Sequence, residues 1–102
     1  MAIEVVFSPE AEAELLALFD YISEKATPAV AADFTSAIID FCQSFSTFPN
    51  RGMRRDDLRP GLRITGFRHQ VTIAFAVDGN TVSIIGIYYG GRDIEAILRH
   101  PQ

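Results

Sequence analysis

The stretch QVTIAFAVDGNTVSIIGIYYGG, residues 70–91, decides the fold. Val71, Ile73, Phe75 and Val77 alternate with Thr72, Ala74 and Ala76, the period of two expected of a strand with one buried face. Asp78-Gly79-Asn80 then supplies residue types that accept a tight hairpin turn. Thr81–Tyr89 follows with apolar side chains at both parities, as a strand covered on both faces requires. Gly90-Gly91 breaks it. Just upstream, Leu62–Phe67 has the length and composition of another strand, so residues 62–89 read as a three-stranded antiparallel meander.

Residues 3–7, rich in branched and aromatic side chains, read as one further strand. Ser8-Pro9 opens a helix, since Ser8 can cap and proline at the first helical position loses no hydrogen bond. Glu10, Glu12 and Glu14 sit where the helix dipole favours negative charge. Ala11, Leu15, Leu18 and Ile22 form its apolar stripe, widened by Leu16 and Phe19. Thr27-Pro28 repeats the punctuation. In the second helix Phe34, Ile38, Phe41, Phe45 and Phe48 form a packing face that Pro49 ends. Residues 49–61 read as a polar, arginine-rich loop, and Asp93 caps a short final helix carrying Ile94, Ile97 and Leu98. The expected fold class is α+β in the order β-α-α-β-β-β. A helical hairpin packs on one face of a mainly antiparallel four-stranded sheet, with a short C-terminal helical turn. Residues 1–102 form a single domain.

Composition narrows the function classes. Hydrophobic residues make up 48% of the 102 and charged residues 22%, a balance that supports a core and argues against disorder. No apolar run is long enough to span a membrane, and the N-terminal residues lack the basic region of a signal peptide. A cytoplasmic protein is expected. The net charge of −4 conceals an asymmetry: residues 1–50 carry eight acids and Lys25 alone, whereas residues 51–102 carry eight arginines against five acids. A pI near 5.0 disfavours a general or sequence-specific nucleic-acid binder. It leaves room for a local arginine surface suited to bidentate recognition of carboxylate or phosphate.

Other chemistries find little support. Cys42 lies within the Phe-rich helix and reads as a buried, inert thiol. His69 and His100 have no partners at metal-ligand spacing, so no metal and no cofactor is expected. The serines lack a nucleophile elbow, and the acids line helix exteriors. Arg63, Arg68 and Arg92 belong to or flank the sheet strands. Outward-pointing residues of these strands can share the sheet face opposite the helices, where an arginine cluster beside Tyr88 or Tyr89 would bind phosphates or an acidic peptide; the plainer alternative is that each arginine pairs with an acid. Arg63, Thr65 and Phe67 share one strand parity, so an arginine goes wherever that parity points. Arg51, Arg54, Arg55 and Arg59 offer a second patch in the loop, with pairing to acids as the plainer alternative.

Four features occur in order: Ser8-Pro9-Glu10-Ala11-Glu12, a Phe-rich helix ending at Phe48-Pro49, Arg59-Pro60-Gly61-Leu62-Arg63, and a last strand closing in Gly90-Gly91-Arg92-Asp93. Together they resemble the RelE/ParE superfamily of bacterial type II toxin–antitoxin toxins over nearly the whole chain, with ParE-like features favoured. The resemblance implies a toxin that arrests growth by poisoning DNA gyrase and is neutralised by a cognate, ParD-like antitoxin whose disordered tail folds on the toxin. Its alternatives are a ribosome-dependent mRNA endonuclease of the RelE type, or a non-toxic antitoxin-binding relic. RelE-like cleavage draws on lysines and arginines, and the one lysine, Lys25, is read as lying away from the sheet. No catalytic residue is therefore assigned. The gyrase-facing candidates are Arg63, Arg68, Tyr89, Arg92, Arg99 and His100. The antitoxin-facing candidates are Leu15, Phe19, Asp20, Glu24, Arg63 and Arg68.

Overall fold

Ser8 and Thr27 each turn an extended chain into a helix. The Ser8 hydroxyl accepts from the Ala11 N–H at 3.0 Å, and the Thr27 hydroxyl accepts from the Val30 N–H at 3.1 Å, each followed by proline in the first turn. The computed structural model describes residues 3–90. Within them β1 (Glu4–Phe7) leads into α1 (Pro9–Lys25) and α2 (Pro28–Gln43), followed by a 3₁₀ turn at Ser44–Ser46. Then come β2 (Met53–Arg54), β3 (Leu62–Phe67), β4 (Val71–Asp78) and β5 (Thr81–Tyr89). The expected C-terminal helical turn around Ile94, Ile97 and Leu98 lies outside the described residues.

The sheet order is β1-β5-β4-β3-β2. β3, β4 and β5 form the expected antiparallel meander, whereas β1 joins the far side of β5 in parallel, Glu4 opposite Thr81 and Phe7 opposite Ile84. The fold is the expected α+β arrangement with five strands rather than four. The added strand, β2, forms inside the segment read as a loop and pairs with β3, Arg54 opposite Arg63. Gly52 permits this, since its φ is +74° and a Cβ there would stand 2.4 Å from the Ile64 carbonyl oxygen.

Helices cover one sheet face. Ile38, Cys42 and Phe45 of the hairpin region meet Val71, Ile73, Phe75, Val82, Ile84 and Ile87, with the Phe45 and Phe75 rings 4.6 Å apart. The opposite face carries a smaller cluster, Leu62, Ala74 and Tyr88, with Leu58, Ile64 and Ile85 packed around it. Apolar residues at both parities of β5 therefore serve two cores. A bulge switches the parity: Ala74 pairs with Gly86 and Phe75 with Ile84, which leaves Ile85 as the extra residue, so Val82 and Ile84 before it and Ile87 after it join the same core. The Phe stripe ends early, at Phe45. The Ser44 hydroxyl donates to the Phe41 carbonyl and regular helix stops at Gln43, so Phe48 points outward, 66% exposed.

Candidate functional site

Arg68 occupies the β3–β4 turn. The Gln70 N–H donates to the Phe67 carbonyl at 3.2 Å, and the two residues between, Arg68 and His69, both adopt positive φ, 52° and 60°. That is the dihedral pattern of a type I′ turn, which strongly favours Asn-Gly and disfavours longer side chains. The Arg68 guanidinium lies 4.9 Å from the Phe67 ring centroid and 5.9 Å from that of Phe34. Sequence reasoning put Arg68 beside a strand; the structure puts it at the turn, laid back over aromatic rings.

From Phe34 the aromatic row continues toward α1. Phe34 meets Tyr89 edge-on at 6.3 Å, Tyr89 meets Tyr21 at 5.9 Å, and the Lys25 ammonium stands 5.9 Å over the Tyr21 ring. Two of the expected gyrase-facing residues, Arg68 and Tyr89, are thus brought together through Phe34 at one end of the molecule. The Gly90 N–H donates to the Gln70 carbonyl at 2.9 Å, so the chain leaves β5 beside the same turn. Arg92, Arg99 and His100 lie outside the described residues. Lys25 is not remote from the sheet, as its sequence position suggested, but joins it through two tyrosine rings. Tyr21, Lys25 and Phe34 are additions to the site. The Tyr21–Lys25 spacing of four was visible in the sequence, whereas the contact with Tyr89 is not local.

Arg63 sits elsewhere. Its parity partner Phe67 packs on Phe41 at 5.0 Å and on Phe34 at 6.2 Å, which directs Arg63 and Thr65 to the helix side of the sheet. Among the described residues no arginine cluster forms on the opposite face; Leu62, Ile64, Ala74 and Tyr88 occupy it. Arg63 donates to the Arg51 carbonyl at 3.3 Å. Arg51 in turn lies 4.8 and 5.1 Å over the Phe41 and Phe45 rings and donates to the Ser44 hydroxyl at 3.0 Å. Of the other loop arginines, Arg54 pairs with Asp56 at 3.0 Å and Arg55 with Asp57 at 2.9 Å, which reduces the second patch. Among the described residues, no carboxylate lies within 4 Å of Arg51, Arg63 or Arg68.

On the hairpin, Leu15 and Phe19 are half-buried, Leu15 against the main core, while Asp20 and Glu24 are exposed. The outward apolar residues are Leu16 and Tyr21 of α1 and Val30 and Ile39 of α2. Beside α1 a groove of about 200 Å³ runs along the end of β5, lined by Glu14, Ala17, Leu18, Tyr21, Ile87 and Tyr89. Glu14 accepts the Ile87 N–H at 2.9 Å. Burial pushes the Cys42 thiol up to about 12, consistent with an inert core cysteine. No helix among the described residues is long and apolar enough to cross a membrane.

The profile of the ParE toxin of type II toxin–antitoxin systems matches residues 5–94. The chain belongs to the ParE toxin family. This ParE-family chain is therefore the toxin component of a type II toxin–antitoxin system. Among solved structures, a chain of the chromosomal ParDE system from P. aeruginosa superposes with a TM-score of 0.76 at 21% identity, covering 88% of this chain and 98% of that one. A chain of the RelBE2 toxin–antitoxin complex from Mycobacterium tuberculosis gives a TM-score of 0.56 at 21% identity, covering 87% and 92%. At that identity these two likenesses speak to the ParE fold. No curated protein sequence matches this ParE-family chain significantly.

Proposed function

We propose that this toxin arrests growth by holding DNA gyrase in its DNA-cleaved state, and that the surface around Arg68 and Tyr89 makes the contact, with Arg92, Arg99 and His100 contributing from the C-terminal segment. The observation that carries this reading is the Arg68 turn. Two bulky residues accept a left-handed backbone where Asn-Gly would be more stable, and the guanidinium rests on Phe34 and Phe67 without a carboxylate partner among the described residues. Backbone strain retained at an exposed cation is characteristic of a recognition site. A gyrase poison needs such a surface and no bond-breaking group of its own. Arg63, tied to the Arg51 carbonyl, braces the β2–β3 edge away from this surface.

Neutralisation follows from the unspent apolar surface of the hairpin. An antitoxin tail crosses α1 and α2 over Leu16, Tyr21, Val30 and Ile39, next to Leu15 and Phe19. Its basic residues meet Asp20 and Glu24, and its acidic residues meet Arg63 or Arg68.

The test is induction in bacteria without antitoxin, followed by detergent lysis and analysis of plasmid DNA. Protein-linked linear plasmid is the expected product. Growth arrest with intact DNA and newly cut mRNA would replace gyrase poisoning with RelE-type cleavage, and unimpeded growth despite folded toxin would mark a non-toxic relic.

A further inference from the structure

The sheet face opposite the helices is buried more deeply than the chain around it explains. Ala74 is fully buried there and Tyr88 is 4% exposed. The phenolic end of Tyr88 covers Gly86, where a Cβ would stand 2.3 Å from the ring carbon bearing the hydroxyl, so one side of the ring is accounted for. A tyrosine loses nearly all of its exposure only when the other side is covered too. Among the described residues both helices pack on the far side of the sheet, and Leu58 of the 55–61 loop is the one member of this cluster from outside the strands. Thr72, Ala74, Ala76 and Ser83 surround it with short side chains, a shallow bed for an incoming apolar ridge.

We propose that residues 91–102 of this chain dock on this face, with Ile94, Ile97 and Leu98 against Ile85, Ala74 and Tyr88. The chain leaves β5 at Gly90, whose φ of 80° turns it off the strand directly beyond Tyr88 and Tyr89. From Gly90 back to the level of Ile85 is about 16 Å of strand. The residues that follow Gly90 reach about 18 Å even when fully helical. Spacings of three and four put Ile94, Ile97 and Leu98 on one side of a helical turn. Charge agrees with this placement. Arg99 comes next along the chain, and the loop that brings Leu58 to the cluster also carries Asp56 and Asp57, whose side chains stay 47% and 55% exposed around their arginine pairs. A tethered segment competes at an effective concentration on the order of millimolar, which favours it over a separate chain. This docking is independent of the target proposed above.

Urea melts of the full chain test this through double-mutant cycles. With Ile97→Ala and Ile85→Ala combined, the folding constant should exceed the value expected from the single variants by at least about fivefold, as for residues in contact. Ile97→Ala combined with Leu15→Ala, which lies on the helix side, should be additive. A second readout does not depend on stability. In protein labelled with 3-fluorotyrosine, the Tyr88 resonance, assigned with Tyr88→Phe, should move toward that of the free amino acid in Leu98→Asp, while Tyr21 stays in place. Leu98→Ala replaces the aspartate variant if that one fails to fold. Additivity with Ile85, coupling to Leu15 instead, or an unmoved Tyr88 resonance in the folded Leu98 variant would each overturn the inference. So would a wild-type Tyr88 resonance that moves toward the exposed position on dilution, the mark of a second copy on this face.

Discussion

Tyr21 of α1 and Tyr89 of β5 hold their rings 5.9 Å apart at an angle of 54°, and this contact joins the helical hairpin to the end of the central strand. Through it the lone lysine, Lys25, and the turn arginine, Arg68, become the two ends of one aromatic row. A cation at each end of a packed row is held in a restricted set of rotamers, which lowers the entropy cost of engaging a partner.

Arg68→Ala should abolish growth arrest while costing only about 0.5–1 kcal/mol of stability, the worth of an exposed cation–π contact. Colony counts after induction, with urea melts of the purified protein, separate the two effects. Arg68→Lys should not restore arrest, because an ammonium cannot lie flat across Phe67 or offer a planar fork. A fully toxic alanine variant would remove Arg68 from the surface proposed to meet gyrase.

His69→Gly should stabilise the fold by about 0.5–1 kcal/mol. Relief of the left-handed backbone at φ 60° outweighs the added entropy of glycine in the unfolded chain. The urea midpoint should rise with an unchanged slope.

Gly86→Ala should destabilise by about 1–3 kcal/mol through overpacking. A Cβ at Gly86 would fall 2.1 Å from the Tyr88 hydroxyl oxygen and 2.3 Å from the ring carbon bearing it, and Tyr88 is almost fully buried. Loss of the second core should appear as changed tyrosine fluorescence before global unfolding.

Cys42 should resist thiol reagents at pH 8 until the protein unfolds. Its folded value of about 12 lies above that of a free thiol near 8.5, so the folded state retains a proton the unfolded state loses. This contribution is fully present below about pH 8.5 and is lost as pH rises toward 12, at about 1.4 kcal/mol per pH unit. Comparison with Cys42→Ala across that range isolates it, since the variant should lack this part of the alkaline decline.

Local signals made most of the framework legible. Alternation in Val71–Val77, the Asp78-Gly79-Asn80 turn and the paired Ser-Pro and Thr-Pro caps each act within a few residues, and each produced the element expected. What escaped was decided across the chain. β2 exists because Gly52 lets two backbones meet at Ile64, which no alternation pattern announces. The parity shared by Arg63 and Phe67 was readable, but only the packing of Phe67 on Phe34 and Phe41 shows which face it takes. Phe48 extended the helical repeat on paper, while the Ser44 hydroxyl had already drawn off the Phe41 carbonyl. At the site, Arg68 and Tyr89 were visible as residue types; Phe34, which places them together, was absorbed into the core stripe.

The parallel pairing of β1 with β5 also sets when this toxin acquires its shape. Glu4 finds Thr81 only after nearly the whole domain has been synthesised, at a separation of 77 residues, so the first strand made waits for the last one made. A ribosome adding roughly 5–20 residues per second therefore carries an incomplete sheet for several seconds. Stalled or truncated products lacking residues 81–89 cannot seat their first strand or present Tyr89. Interrupted translation thus yields fragments without the assembled sheet, a safeguard that topology alone provides.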